Sequence, residues 1–329
     1  MKKSKKAISI ILTALLVTAS LTGCGKKDSA SGGDVFRIGV DQLVEHAALD
    51  ASYKGFVDAL AEAGYVDGEK ITIDYQNAQG DQANANTIAS KLVNDNDDLI
   101  LAIATPASQA VANATKDIPI LVTAVTDPAE AGLVASNEAP GGNVSGTSDL
   151  TPVKEQIDLL KQLVPDAKKI AILYCSSEVN SKIQADMAIE AATKLGIESE
   201  EATVSNTNEI QQVVESLIGK VDAIYAPTDN VIAKAMPTVS QVANANNLPI
   251  ICGEEGMVDA GGLATYGIDY YELGKLTGKQ AVKIIEGTAT TAEMPIEYLS
   301  ADQCKLSINE DVAAQLGIEI PSDLVEDKE

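Results

Sequence analysis

The sequence predicts an α/β protein of two doubly wound, largely parallel-sheet lobes with a ligand cleft between them, and three observations carry that expectation. Apolar runs of strand length alternate with segments whose apolar residues recur at helical spacing, the pattern of βαβ units whose sheets are covered on both faces. The chain has 329 residues, enough for two domains of ordinary size. Two of its stretches also resemble each other: "LILAIATPASQAVANATKDIPILVTAVTDP" (99–128) and "DAIYAPTDNVIAKAMPTVSQVANANNLPIICGEEG" (222–256). Each has a strand, a polar turn, a helix carrying "SQ" near "VANA", then "IPI" or "LPI" and an acidic turn, as duplicated units would. Open sheets bind ligands beyond the carboxyl ends of their strands, so two such lobes would share a cleft.

The first element is an address. "MKKSKK" is a basic n-region, "AISIILTALLVTAS" a short apolar h-region, and "LTGC" ends on a cysteine. The apolar stretch is shorter than the roughly 20 residues a spanning helix needs, and Leu21-Thr22-Gly23-Cys24 resembles a bacterial lipobox, with Cys24 as the lipidated residue after cleavage. Removing residues 1–23 takes away four Lys and no acid, leaving 20 basic against 48 acidic residues and a formal charge of −28. The polar Gly/Ser-rich residues 24–34 read as a flexible tether.

From Val35 the strand candidates run in order: "VFRIGV", "KITIDY", "DDLILAIA", "IPILVTAV", "KKIAILY", "ESEEATV", "VDAIYA" and "LPIICG", with helical segments between most of them. The first helix, "AALDASYKGFVDALAEAG", stops at Gly64, a C-terminal glycine signal. Residues 35–150 are expected to form the first lobe, with a return segment at about 252–278. Residues 151–251 are expected to form the second, completed by a C-terminal segment at about 279–329.

Composition excludes several classes. The whole chain carries a formal charge of −24, which gives nucleic acid no positive footprint to bind. Arg37 is its single arginine, so guanidinium clamps on a ligand are nearly excluded. Cys175, Cys252 and Cys304 show no CxxC spacing and are expected as buried, inert thiols, so neither a metal site nor a cofactor is expected. His46 is the single histidine and no GxSxG elbow occurs, which leaves nucleophile activation little to work with. "GKLTGKQ" (274–280) has three residues rather than four between its glycines and Gln280 where a phosphate loop needs a hydroxyl. It reads as an amphipathic helix, and the chain is not expected to be an enzyme.

What remains are polar turns at strand exits. These hold Gln42 and His46 in "QLVEH", Thr105 and Ala107 in "TPAS", Thr126 and Asp127 in "TDP", and Ser176, Ser177, Glu178 and Asn180 in "CSSEVNS". The later ones hold Thr228, Asp229 and Asn230 in "PTDN", Glu254 in "GEEG" and Asp269 in "GIDYYE". Capping a helix N-terminus accounts for one such group per turn. It does not account for adjacent ones, as in Ser176-Ser177-Glu178 or Thr228-Asp229-Asn230. Helix N-termini can hold a carboxylate without arginine, while Asp127, Asp229, Glu178 or Glu254 could hold an ammonium. Together they describe a site for a zwitterion, with Asp229→Ala expected to weaken binding.

From about Val35 to its end the chain resembles the ABC-transporter substrate-binding proteins of the type I periplasmic-binding-protein fold, in the branch associated with tryptophan and tyrosine. The segments that carry the resemblance are "YKGFVDALAEAGYVDG", "ATPASQAVANATKDIPILVTAVTDP", "PGGNVSGTSD", "SSEVNS", "PTDN" and "GEEGMVDAGGLATYGIDYYELG". It implies two α/β lobes joined by three crossovers that close on a small ligand, here an amino acid such as tryptophan, tyrosine or phenylalanine. By this resemblance Thr105, Asp127, Ser176, Ser177, Glu178, Asn180, Asp229, Asn230 and Glu254 would line the cleft. With no Trp and two Phe in the chain, Tyr53, Tyr174, Tyr266, Tyr270 or Tyr271 would supply any stacking. The implied partners are an ABC permease and, through the lipid, the extracytoplasmic face of the cell membrane of a Gram-positive bacterium. The alternative is a ligand-sensing lipoprotein that reports to a membrane receptor.

Overall fold

The apolar runs become strands because only a sheet covered on both faces buries side chains pointing both ways. In the computed structural model, which describes residues 35–300 and 303–326, β3 (Leu99–Ile103) and β4 (Ile120–Val125) are buried along their whole length. They sit in the middle of a sheet begun by β1 (Phe36–Gln42) and β2 (Ile71–Asn77) and continued by β5 (Val144–Ser148). The second sheet holds β6 (Lys169–Cys175), β7 (Glu198–Val204), β8 (Ala223–Ala226), β9 (Ile250–Cys252) and β10 (Ala264–Gly267). Two short late strands, β11 (Glu297–Tyr298) and β12 (Lys305–Ile308), are added one to each edge. The orders are β11-β5-β4-β3-β1-β2 and β12-β10-β9-β8-β6-β7. All pairings are parallel except that of β12 with β10.

The two orders are the same arrangement repeated, and the two resembling stretches occupy corresponding places in it. The first supplies β3, α3 (Thr105–Ala114) and β4. The second supplies β8, α7 (Asn230–Ala245) and β9. The remaining helices are α1 (Ala47–Glu62), α2 (Gln82–Asn94), α4 (Val153–Leu163), α5 (Val179–Lys194), α6 (Ile210–Leu217), α8 (Glu255–Asp259), α9 (Tyr270–Ile285), α10 (Glu310–Leu316) and α11 (Ser322–Glu326). The expected signal segment, Cys24 and the tether lie outside the described residues.

The chain changes lobe at other points than the sequence suggested. The segment expected to return to the first lobe, 252–278, instead keeps its β9 end and β10 in the second sheet, where β9 pairs with β8. The return begins at α9, which packs on α1 and against β4 and β5, and ends with β11 beside β5. The chain then crosses back to β12, so three crossings join the lobes: β5 to α4, β10 to α9, and β11 to β12. The residues explain the α9 docking. A Cβ on Gly274 would stand 1.9 Å from the Ser52 carbonyl oxygen of α1, so this glycine is what lets the two helices approach. "GKLTGKQ" therefore lies inside α9 as a packing surface.

Strand β5 reads as polar, yet it is buried. Its hydroxyls find partners on the return segment: Thr147 Oγ1 lies 2.8 Å from Thr277 Oγ1 and 3.0 Å from Thr123 Oγ1, and Ser145 Oγ donates to the Met294 carbonyl at 2.9 Å. Such pairing removes most of the desolvation cost that would keep hydroxyls out of a core. Asp41 in β1 has no such relief. It is fully buried, neither carboxyl oxygen has a hydrogen-bond partner, and burial pushes its pKa up to about 8.

Candidate functional site

The carboxyl ends of both sheets converge on a small cavity of about 20 Å³. The first lobe brings His46, Thr126 and Asp149 to it, the second brings Asn180, Thr228, Asp229, Asn230 and Glu254, and Tyr270 reaches it from the start of α9. That volume admits one group of about the size of a water molecule. No Lys or Arg lines it.

Local geometry fixes how each group faces this space. Asp229 precedes α7 and accepts from the Ile232 N–H at 2.8 Å through Oδ1, while Oδ2 accepts from the Cys175 N–H at 2.6 Å. Its carboxylate therefore ties β6 to α7, and Asp229→Ala would remove a strut as well as a cavity wall. Glu178 is held by both asparagines: Oε2 accepts from Asn230 Nδ2 at 2.7 Å and from Asn180 Nδ2 at 3.0 Å. Burial, and then the neighbouring Asp229 charge, push Glu178 up to about 8. Burial also raises Asp229, Glu254 (to about 7) and Asp149 (to about 6). Glu254 Oε2 accepts from the Gly256 N–H at 2.6 Å at the head of α8. Tyr270 donates its hydroxyl to Asp149 Oδ2 at 2.7 Å.

Three buried atoms on this wall have no partner: His46 Nδ1, Asn180 Oδ1 and Asp149 Oδ1. All three are acceptors. Asn230 uses its amide N–H to donate to Glu178, so its Oδ1, 3.3 Å from His46 Nε2, receives the imidazole proton there. Burial lowers the His46 pKa to about 4, leaving a neutral ring whose Nδ1 carries a lone pair. Asn180 spends its Nδ2 on Glu178, Ser181 and the Thr228 carbonyl, which leaves Oδ1 free to accept. A cavity of this size with three orphaned acceptors and several carboxyl groups suits an –NH3+ group, which has three donors and no acceptor.

Beyond the His46–Asn230 contact lies a larger interlobe pocket of about 260 Å³. Leu43, Val44 and Pro106 from the first lobe face Ser177, Glu178 and Val231 from the second, with Lys234 also on its wall. The lobes touch directly around both spaces. Gln184 Nε2 of α5 donates to Thr126 Oγ1 at 3.2 Å, and Lys234 Nζ of α7 donates to the Gln79 carbonyl at 3.1 Å.

Of the residues singled out from the sequence, His46, Thr126, Asn180, Thr228, Asp229, Asn230 and Glu254 meet at the cavity, and Ser177 and Glu178 at the larger pocket. The others do not line either space. Ala107 belongs to the first lobe's hydrophobic core, where a side chain with no polar atom is at home. Thr105 is buried in the first turn of α3 with Oγ1 unpartnered, and Gln42 is buried with Nε2 bonded to Asp50 and to the Val44 carbonyl. Asp127 closes its own turn, accepting from the Ala129 and Glu130 N–H groups and from Asn137. Ser176 is exposed and donates to the Val204 carbonyl, and Asp269 is an exposed cap on α9. Among the tyrosines only Tyr270 reaches the cavity. Tyr53 stacks on Tyr75, Tyr174 donates to Glu201, and Tyr271 donates to Asp58. Cys175 and Cys252 are buried, Cys304 is half-buried, and none forms a disulfide.

Asp149 and Gln184 were not singled out. Asp149 sits at the exit of β5, a strand whose polar sequence hides it, and Gln184 lies a full turn inside α5, away from any strand exit.

The chain is similar to several known proteins. A family model described as "ABC transporter substrate binding protein" matches residues 37–328. A protein of Clostridioides difficile (strain R20291) named "Tyrosine-binding protein" is 48% identical over 328 residues, covering 97% of this chain and 94% of its own. Among solved structures, an ABC domain from Streptococcus pneumoniae in complex with L-Trp is 43% identical, covers 89% of this chain and 98% of its own, and superposes with a TM-score of 0.86. A ligand-free, open structure of a substrate-binding protein with adhesive properties from Clostridium difficile is 49% identical over the same shares, but superposes with a TM-score of 0.68. The chain thus superposes better on the L-Trp complex than on the open protein, although the latter is nearer in sequence.

Proposed function

Because the chain belongs to the family of ABC transporter substrate-binding proteins, with the type I periplasmic-binding-protein fold, we propose that it captures an aromatic amino acid of the tyrosine and tryptophan class by closing its two lobes. Its family binds solutes rather than transforming them. The observation that carries the ligand reading is the trio of unpartnered acceptors, His46 Nδ1, Asn180 Oδ1 and Asp149 Oδ1, around a cavity with room for one ammonium. The names of the similar proteins supply the aromatic side chain. Two trio members belong to one lobe and Asn180 to the other, so the ammonium finds its full set of acceptors only when the lobes are shut. Binding energy then shifts the open and closed populations, and the closed form is what a membrane partner can distinguish.

A thermal-shift screen of the twenty amino acids tests the reading, since a ligand that binds only the native state raises its stability. L-tyrosine or L-tryptophan should give the largest shift; no shift from any amino acid, with folded protein, would reject it.

The buried carboxyls add a pH dependence. Burial raises Glu178, Glu254 and Asp149 in the closed form to about 8, 7 and 6, and a nearby ammonium favours their charged forms. Binding therefore releases protons, and affinity is present above these values and lost as pH falls through them. Calorimetric Kd values at pH 8 and pH 5.5 should differ at least severalfold, with tighter binding at pH 8. Equal values would contradict the coupling.

The cellular setting we propose is that of an ABC importer component: lipidated at Cys24, held on the extracytoplasmic face of the membrane, and delivering its ligand to a permease. It rests on the lipobox-like Leu21-Thr22-Gly23-Cys24 and on the family. Cys24→Ser should move the protein from the membrane fraction to the soluble one; unchanged fractionation would count against the anchor.

A further inference from the structure

An amino acid whose ammonium fills the inner cavity must send the rest of itself elsewhere, and the structure offers two directions. Next to the cavity on one side, sharing Ala48, Glu254 and Tyr270 with it, is a hollow of about 210 Å³. Its wall carries four carboxyl residues, Glu254, Glu255, Asp259 and Asp269, and no Lys or Arg. A ligand carboxylate there would face like charge on every quarter. On the other side, sharing Asn230, is the pocket of about 260 Å³. It has one carboxyl residue, Glu178, and one cation, Lys234. Its aliphatic groups come from both lobes, which is what a flat ring needs on its two faces.

We propose that this outer interlobe pocket is the side-chain subsite, in which the ligand's aromatic ring lies between Leu43, Val44 and Pro106 of the first lobe and Val231 of the second. The assignment rests on the amino-acid reading and goes further by fixing the ligand's direction: ammonium inward, ring outward, passing the His46–Asn230 contact. It also changes the recognition chemistry expected from the sequence. No aromatic residue lines this pocket, so the ring is held by aliphatic packing rather than by stacking on a tyrosine. Ser205 and Thr207, where β7 leads toward α6, line the same pocket with hydroxyls. With Gln79, Gln82 and Asn206 on the same wall, they are able to bond a phenol O–H or an indole N–H, and so to separate tyrosine or tryptophan from phenylalanine.

Two measurements test the assignment on the full chain. In the first, 4-azido-L-phenylalanine is bound and photolysed, and the adducts are mapped by mass spectrometry with excess L-tyrosine as competitor. Competed adducts on Leu43, Val44, Ser205 to Thr207 or Val231 are expected; competed adducts on Glu255 to Asp259, Tyr270 or Tyr271 would overturn the direction while leaving the amino-acid reading intact. In the second, Val231→Trp fills the pocket from a half-buried position. It should weaken L-tyrosine and L-tryptophan roughly tenfold or more with an unchanged circular dichroism spectrum. Unchanged affinity would overturn the subsite, including when the azide gives no adduct. Wild-type protein that binds neither amino acid would overturn the subsite and the amino-acid reading together.

Discussion

Replacing Asp149 with alanine is expected to weaken binding of an aromatic amino acid by about 2 to 5 kcal/mol, the usual effect of truncating one partner of a buried charge pair. That corresponds to a roughly 30-fold to several-thousand-fold rise in Kd. Asp149 follows β5 in the first lobe, is almost wholly buried, and leaves Oδ1 without a partner at the cavity while Oδ2 receives the Tyr270 hydroxyl. Asp149→Asn keeps the shape and an acceptor for Tyr270 but removes the charge, so it should lose most of the same affinity. Tyr270→Phe removes the hydroxyl and leaves the carboxylate, so it should lose far less. Calorimetry on the three variants separates the roles: equal losses for all three would make Asp149 a support for Tyr270 and would take the ammonium away from it.

The second large effect concerns stability. Asp41→Asn should stabilise the protein at pH 8 by on the order of 5 kcal/mol and change little at pH 4. Its folded-state pKa of about 8 stands well above the ordinary carboxyl value of 3.8. The stability of the acid form is thus fully present below about pH 4 and lost as pH rises through 8, because the unfolded chain ionises freely while the folded one keeps its proton. An amide cannot ionise and so has no such slope. Chemical denaturation of both proteins at pH 4, 6 and 8 checks this. Parallel pH profiles would mean that Asp41 finds water or a partner when ionised.

Much of this architecture was readable because burial on both faces writes itself as apolar strands; β3, β4, β8 and β9, and β6 after its first residue, did so. The lobe boundary was not. Strand β10, "ATYG", is short and half polar, and nothing in "GIDYYELGKLTG" says whether the helix it begins will dock on the first or the second lobe. The docking on α1 uses close approaches such as Gly274 against Ser52, between residues more than two hundred positions apart. The site divides along the same line. Thr228-Asp229-Asn230 and Glu178-Val179-Asn180 carry more polar groups than a cap requires, and the surplus was visible. Asp127 and Asp269 look the same in sequence but are consumed as caps, since one carboxylate can close a turn with two backbone N–H groups. Asp149 stayed hidden because β5 buries Ser145 and Thr147 through partners on the return segment, which no local pattern announces.

In the proposed function the inner cavity grips the ammonium of an amino acid with acceptors from both lobes. A crystal structure of the protein grown with L-tyrosine measures it directly. Closed lobes are expected, with the ligand nitrogen within hydrogen-bonding distance of Asp149 Oδ1, Asn180 Oδ1 and His46 Nδ1. A ligand nitrogen in the outer pocket or in solvent, with those three atoms still unpartnered, would contradict it.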